Sequence, residues 1–255
     1  MKFGVCCVPD NFVPAKKAGL DYAEISMAYL HGRSSAELCK IRQKAAENGL
    51  SIDGFNGFFG SGISLYNDAL ETVLDYSKVN FETANILGGR YCVLGCGWLR
   101  KTPEGKDKAE TEKRFAFILS QIAELAGAYG VELILEPLCK EETDVINTFE
   151  EGLRLCRAAD IKSLGCLVDF YHFYKNGEDL SVFDNLREGE PRHVHLARAN
   201  DDRAAPGQED RETLQKWAEK LKKAGYDRRI SLECRWSADF ESDLITAASL
   251  LKEIF

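Results

Sequence analysis

The 255-residue chain contains no apolar run approaching the ~20 residues needed to cross a bilayer. Its first residues, MKFGVCCVPD, carry one lysine and only a short apolar stretch, which reads as a strand and not as a signal peptide. The nine cysteines are an odd number and form no Cys-x-x-Cys pair. Several (Cys92, Cys156, Cys166) sit inside apolar patterns, so a disulfide framework and a cysteine zinc site are both disfavoured. Buried thiols in a reducing, cytoplasmic setting are expected instead. Basic residues are in deficit, 33 Lys and Arg against 41 Asp and Glu, for a net charge of −8. Nucleic-acid binding needs clustered positive charge, so a nucleic-acid partner is excluded, whereas a small neutral substrate is compatible. No Gly-x-Gly-x-x-Gly turn and no phosphate-loop lysine motif occurs, which argues against an open doubly wound sheet. With no long apolar run, a membrane partner is not expected either.

What is present is an alternation. Short β-rich runs at residues 2–8, 22–27, 50–58, 91–94, 131–135, 164–169, 192–197 and 229–234 are separated by helical patterns. The helices are expected at residues 12–18, 35–49, 66–87, 108–128, 147–159, 211–224 and 240–254, with a loop and short helix at 177–186. Ser34 supplies an N-cap and Asn48-Gly49 a C-terminal stop. No composition break marks a linker. Strands joined by helical crossovers are parallel, and eight such units in ~250 residues are the size of a closed (β/α)8 TIM barrel formed as a single domain over residues 1–255.

In such a barrel, functional groups stand at the C-terminal ends of the strands. Four successive late strands end on polar groups: Glu136, Asp169, His195 and Glu233. Three carboxylates brought together would repel one another without a cation. The oxygen-rich set, with one imidazole, suits a divalent metal, Mn²⁺ before Mg²⁺, Co²⁺ or Zn²⁺. His193 shares a strand face with His195 and reads as a packing layer beneath the site. Glu24 interrupts an apolar strand and faces either outward by alternation or into a pocket. Trp98 either walls the pocket or packs a loop. Arg100 and Lys101 either receive a substrate phosphate or, the preferred reading, form a solvated basic turn.

These residues carry a resemblance. E-P-L-x-x-x-E-T at 136–143, D-x-x-H at 169–172, H-x-H at 193–195 and the strand-end Glu233 resemble the xylose-isomerase-like TIM-barrel superfamily of sugar isomerases and epimerases, in particular its D-tagatose and D-psicose 3-epimerase branch. The resemblance implies that Glu136, Asp169, His195 and Glu233 hold the metal and that Glu136 and Glu233 are the catalytic acid/base pair. It implies sugar contacts from Glu142, His172 and an arginine after the seventh strand. The family's position for that arginine falls on Asp201; Arg203 is the choice here and Arg198 the alternative. Cys139 stands where the epimerases tend to carry asparagine. The family also tends to form dimers or tetramers, so a homo-oligomer is possible.

The chemistry follows from general principles. A C–H beside a ketone is too weak an acid for an unaided carboxylate. A divalent ion chelated by the carbonyl and a neighbouring hydroxyl stabilises the enediolate. Two carboxylates on opposite faces of the sugar then remove and return the proton, which gives epimerisation; return on one face to the adjacent carbon gives aldose–ketose isomerisation. Three other functions compete. An inosose dehydratase-like lyase shares the ligand set. An abasic-site endonuclease-like hydrolase would need far more than the four histidines present. A non-catalytic sugar-binding barrel would be favoured by loss of a ligand.

Overall fold

The computed structural model describes residues 1–200 and 202–255. Eight strands form a closed barrel in sequence order: β1 (Lys2–Cys6), β2 (Tyr22–Ser26), β3 (Ser51–Asn56), β4 (Tyr91–Leu94), β5 (Glu132–Leu135), β6 (Leu164–Asp169), β7 (His193–Leu196) and β8 (Arg229–Leu232). Every neighbouring pair is parallel, and β8 closes on β1 from Lys2↔Arg229 to Val5↔Leu232. The expected closed barrel is therefore the observed one. Ten helices accompany the strands among the described residues: α1 (Phe12–Lys17), α2 (Met27–Leu30), α3 (Ser35–Glu47), α4 (Leu70–Leu87), α5 (Gly97–Arg100), α6 (Lys108–Ala128), α7 (Phe149–Ala159), α8 (Phe170–Lys175), α9 (Arg211–Lys223) and α10 (Phe240–Ile254). No helix among the described residues is long and apolar enough to cross a membrane.

Local chemistry sets the boundaries. Ser34 and Thr148 each form a reciprocal capping box, with Glu37 and Glu151, that starts α3 and α7. Helix α4 begins four residues later than the apolar pattern predicts. Ser64 and Asp68 close a turn on themselves, Ser64 N–H donating to Asp68 Oδ2 at 2.7 Å, and hold the intervening chain out of the helix. The short helix α8 was not expected. Asp169 caps it, its Oδ1 accepting the Tyr171 N–H at 2.7 Å and the His172 N–H at 3.4 Å. The aromatic face of α8 supplies the rest of its stability. Phe170 stacks on Trp217 of α9 at 4.1 Å, and both rings are buried. Each such burial contributes roughly 1.5–3 kcal/mol.

The main core lies between the barrel and its helices, while the barrel's inside follows the two-residue alternation of the strands. It is divided by polarity. Tyr91, Val93, Ile134 and Leu167, from β4, β5 and β6, form a separate apolar cluster. Across from them stand Tyr22 and Glu24 of β2, His193 of β7 and Ser231 of β8, all essentially without solvent exposure. Gly54 makes room for this layer: a Cβ there would meet the Tyr91 ring at 2.0 Å. Above both halves, at the C-terminal mouth, come Glu136, Asp169, His195 and Glu233.

Candidate active site

The strand register brings the four mouth residues together. Asp169 pairs with His195 across β6 and β7, and His195 with Ser231 across β7 and β8. Glu136 follows Leu135, the last residue of β5, and Glu233 follows Leu232, the last of β8. Each side chain offers one donor atom, and these atoms all lie within 4.8 Å of one another. Glu136, Asp169 and His195 are buried and Glu233 is nearly so. Gly95 permits the approach of Glu136: a Cβ there would meet Glu136 Oε2 at 2.3 Å.

Hydrogen bonds meet the cluster from outside and, through Arg203 Nη2, at the inner oxygens of Asp169 and Glu233. Asn56 donates to Glu233 Oε1 at 2.7 Å, and the α8 backbone occupies Asp169 Oδ1. That leaves Asp169 Oδ2, Glu233 Oε2 and the Glu136 carboxylate facing inward. His195 Nε2 is bonded to Glu24 Oε1 at 2.9 Å, which turns Nδ1 toward Glu136 Oε1 at 3.3 Å and Glu233 Oε2 at 3.2 Å. With Nε2 committed, Nδ1 meets two carboxylate oxygens. Such contacts are favourable only if Nδ1 carries a second proton or a cation lies between. The inward donor set, three carboxylates and one imidazole nitrogen, therefore fits a single divalent ion.

Electrostatics separates the two glutamates. Burial, reinforced by the Glu233 charge, raises the Glu136 carboxyl above the usual range against the pull of His195. Burial acts on Glu233 in the same sense, but Arg203 and His195 outweigh it and hold that carboxyl well below its ordinary value. A pair of carboxylates pushed in opposite directions is the arrangement that acid/base chemistry uses.

Two other three-residue clusters have donor atoms equally close, Cys6–Glu24–His195 and Cys139–Glu142–His172. In the first, burial and the Glu24 charge push the Cys6 thiol up, away from the thiolate a metal would need. In the second, His172 Nδ1 is already occupied by the Cys139 N–H at 3.2 Å. The His172 Nε2–H is buried with no partner among the described residues and stands 3.8 Å from Asp169 Oδ2.

Above the cluster opens a cavity of about 260 Å³, lined in part by Asn56, Trp98, Glu142, His172 and Arg203 together with Glu136 and Glu233. Larger clefts lie elsewhere, one of them between α7 and β6 on the outside of the barrel, away from these groups. Arg203 has a left-handed backbone at φ 54° and reaches over the Tyr171 ring at 5.0 Å. Its Nη2 donates to Asp169 Oδ2 at 2.9 Å and also contacts Glu233 Oε2. Arg198 points away, paired with Glu209 and with Asp210 at 3.0 Å. Asp201 lies outside the described residues.

Several expectations change. Glu24 faces inward and is fully buried, so the outward reading is wrong. His172 lies on α8, a helix that the sequence pattern does not mark, because Asp169 caps it. Arg100 is fully buried against Phe115, at 5.4 Å, and not part of a solvated turn, because α5 folds its side chain inward. Trp98 is 55% exposed yet lines the cavity. Asn56 and Ser231 were missed altogether; their signal is positional, visible only once the strand register shows which face they share.

A family model described as Xylose isomerase-like TIM barrel matches residues 12–254. Among curated relatives, the chain is 26% identical to a D-psicose 3-epimerase of Agrobacterium fabrum, over 75% of this chain and 67% of that one. It is 25% identical to an inosose isomerase of Bacillus velezensis, over 86% of this chain and 80% of that one. Among solved structures, a D-psicose 3-epimerase studied in the presence of D-fructose superposes with a TM-score of 0.82 at 19% identity, covering 99% of this chain and 98% of that one.

Proposed function

The chain belongs to the xylose isomerase-like TIM barrel family, and from that premise we propose that it is a divalent-metal-dependent sugar epimerase or isomerase. Its relatives are isomerases and epimerases, which supports an isomerase-type enzyme. The finer reading is proton transfer at the carbon beside a ketose carbonyl, as in ketose 3-epimerisation. The observation that carries the proposal is the convergence of Glu136, Asp169, His195 and Glu233 within 4.8 Å beneath a sugar-sized cavity.

In this reading the four residues are the metal ligands, with Mn²⁺ favoured by their mostly oxygen donors. A bound divalent cation would stabilise the negative charge that develops on the sugar's carbonyl oxygen. Glu136 and Glu233 reach the site from β5 and β8, which lie three places apart around the ring, and so flank a substrate from different sides. One removes the proton and the other returns it. His172 offers its unpartnered Nε2–H to a sugar hydroxyl, Glu142 accepts from another, and Arg203 donates to a third. Trp98 covers the mouth.

The lining also favours a neutral sugar. Arg203 is the one lysine or arginine among the lining residues, and it already faces three carboxylates, Asp169, Glu233 and, at 3.9 Å, Glu142. Arg100 is buried outside the cavity and Lys101 is exposed to solvent. A phosphate would therefore meet net negative charge.

The inosose isomerase relative favours a second substrate, a cyclic ketopolyol, for the same chemistry. The test is product analysis by NMR with Mn²⁺-loaded protein on a panel of free ketohexoses, 6-phosphorylated ketohexoses and inososes. A 3-epimer formed from a free ketohexose supports the proposal. No turnover of any ketone on the panel defeats it.

A further inference from the structure

We infer that Glu24 is a positioning residue that selects Nδ1 of His195 as the metal-binding nitrogen, with Tyr91, Ser231 and His193 forming a cage that holds Glu24 in place. The inference rests on the reading of the four mouth residues as a metal site. It adds a layer that is not among those four ligands.

The geometry leaves little freedom. Glu24 Oε1 is 2.9 Å from His195 Nε2. Glu24 Oε2 accepts from Ser231 Oγ at 2.7 Å, from Tyr91 OH at 2.9 Å and from His193 Nε2 at 3.1 Å. The direction of the serine bond is fixed. Ser231 has one proton and gives it to Glu24, so its oxygen accepts from Tyr22 OH at 2.8 Å. All of these residues are at most 2% exposed. A carboxylate can only accept, so both histidines present Nε2–H to it. The His193 Nδ1 then has no partner among the described residues, as observed. For His195 the same bond leaves Nδ1, and only Nδ1, toward Glu136, Asp169 and Glu233.

An imidazole can otherwise flip about its Cβ–Cγ bond, which would put Cδ2 and Cε1 where Nδ1 and Nε2 now stand. Two features oppose this in His195. A flip would break a charge-assisted hydrogen bond to a fully buried carboxylate, which is costly to leave unpaired. The ring edge is also packed against His193, with centroids 4.9 Å apart at 83°. A hydrogen-bonded carboxylate on the far nitrogen makes the near one a more basic ligand.

The composition of the barrel interior supports a dedicated role. Beneath Glu136 and Asp169 the layer is apolar, with Ile134 and Leu167, and needs no polar partner. Beneath His195 the layer is polar. Glu24 has no lysine or arginine partner among the described residues; its charge is met by four hydrogen-bond donors alone. That arrangement is expensive to bury unless it holds something in register.

The experiment uses the full chain. Calorimetric titration with Mn²⁺ compares wild type with Glu24→Gln, which keeps the volume and removes the charge. The Mn²⁺ Kd is expected to rise about 10- to 100-fold, the usual effect of removing a partner of this kind. A second readout does not depend on the folding of Glu24→Gln and uses wild type alone: histidine ¹⁵N NMR of the Zn²⁺-loaded protein. His195 should show Nε2 protonated and Nδ1 bound to zinc. Wild-type Mn²⁺ affinity in folded Glu24→Gln, or zinc on His195 Nε2, overturns the inference and leaves the metal site standing. If wild type takes up neither Mn²⁺ nor Zn²⁺, the metal reading and this inference fall together.

Discussion

Arg203 Nη2 donates at 2.9 Å to Asp169 Oδ2, the one oxygen of Asp169 that the α8 backbone leaves unclaimed. The same nitrogen contacts Glu233 Oε2. A cation held by the four mouth residues would share both oxygens with this guanidinium. Removing the neighbouring positive charge should therefore tighten metal binding by about tenfold, or ~1.4 kcal/mol. Arg203→Gln is expected to lower the Mn²⁺ Kd while raising KM for the sugar, since the side chain also lines the cavity. Calorimetry and steady-state kinetics read the two effects separately. Weaker Mn²⁺ binding in the variant would mean that Arg203 assembles the ligand cage instead of competing for it.

Metal removal should cost thermal stability. Three carboxylates are gathered at one point, and a ligand that binds only the folded chain stabilises it in proportion to its excess over Kd. At a hundredfold excess of Mn²⁺ the gain is about 2.7 kcal/mol, or a Tm increase of roughly 5–10 °C for a chain of this size. Calorimetric scans with Mn²⁺ and with EDTA check this. Asp169→Asn should remove most of the difference, and an equal difference in that variant would place the ion elsewhere.

The layer under the site can be disturbed from a distance. Gly54 lies against the ring of Tyr91, whose hydroxyl bonds Glu24. Gly54→Ala would drive a methyl group into that ring, and overpacking of this kind costs about 1–3 kcal/mol. Urea denaturation should show the loss. A variant as stable as wild type would show that Tyr91 can move freely, contrary to its place in the cage.

One acid away from the cluster predicts a pH effect. Burial raises the Glu178 carboxyl to about 7, opposed by the Phe149 N–H that it accepts at 2.8 Å. The folded state therefore holds this proton more tightly than the unfolded state. The resulting stability is complete below a pH of about 4.5 and is lost as pH rises through about 7. After allowance for partial exposure the change is on the order of 1–2 kcal/mol. Glu178→Gln should flatten the stability profile between pH 5 and 8 by that amount, as measured by urea midpoints. An unchanged profile would show that Glu178 titrates normally.

Much of this fold is written in local pattern. Strands β4 and β6 and helices α6 and α10 fall on their expected residues, because period and end signals agree there. Helix α8 was invisible for a physical reason: six residues, FYHFYK, are too few to show a helical period, and its start depends on the Asp169 cap. The mouth residues were legible because polar groups ending buried strands are conspicuous. The layer beneath was not. Glu24, Tyr91 and Ser231 acquire meaning only through barrel closure, which brings β2, β4 and β8 to a common interior. Arg203 was marked by its loop alone, and its reach to Asp169 depends on a left-handed backbone that sequence does not announce.

The most direct measurement is solvent exchange. Mn²⁺-loaded protein is incubated in D₂O with D-fructose or D-psicose, and deuterium is located in the sugar by NMR. Deuterium at C3, in both recovered substrate and epimer, is the predicted result, with exchange abolished in Glu136→Gln and Glu233→Gln. Turnover without deuterium at any carbon beside the carbonyl, or undiminished exchange in both variants, would contradict a proton moved by these two glutamates.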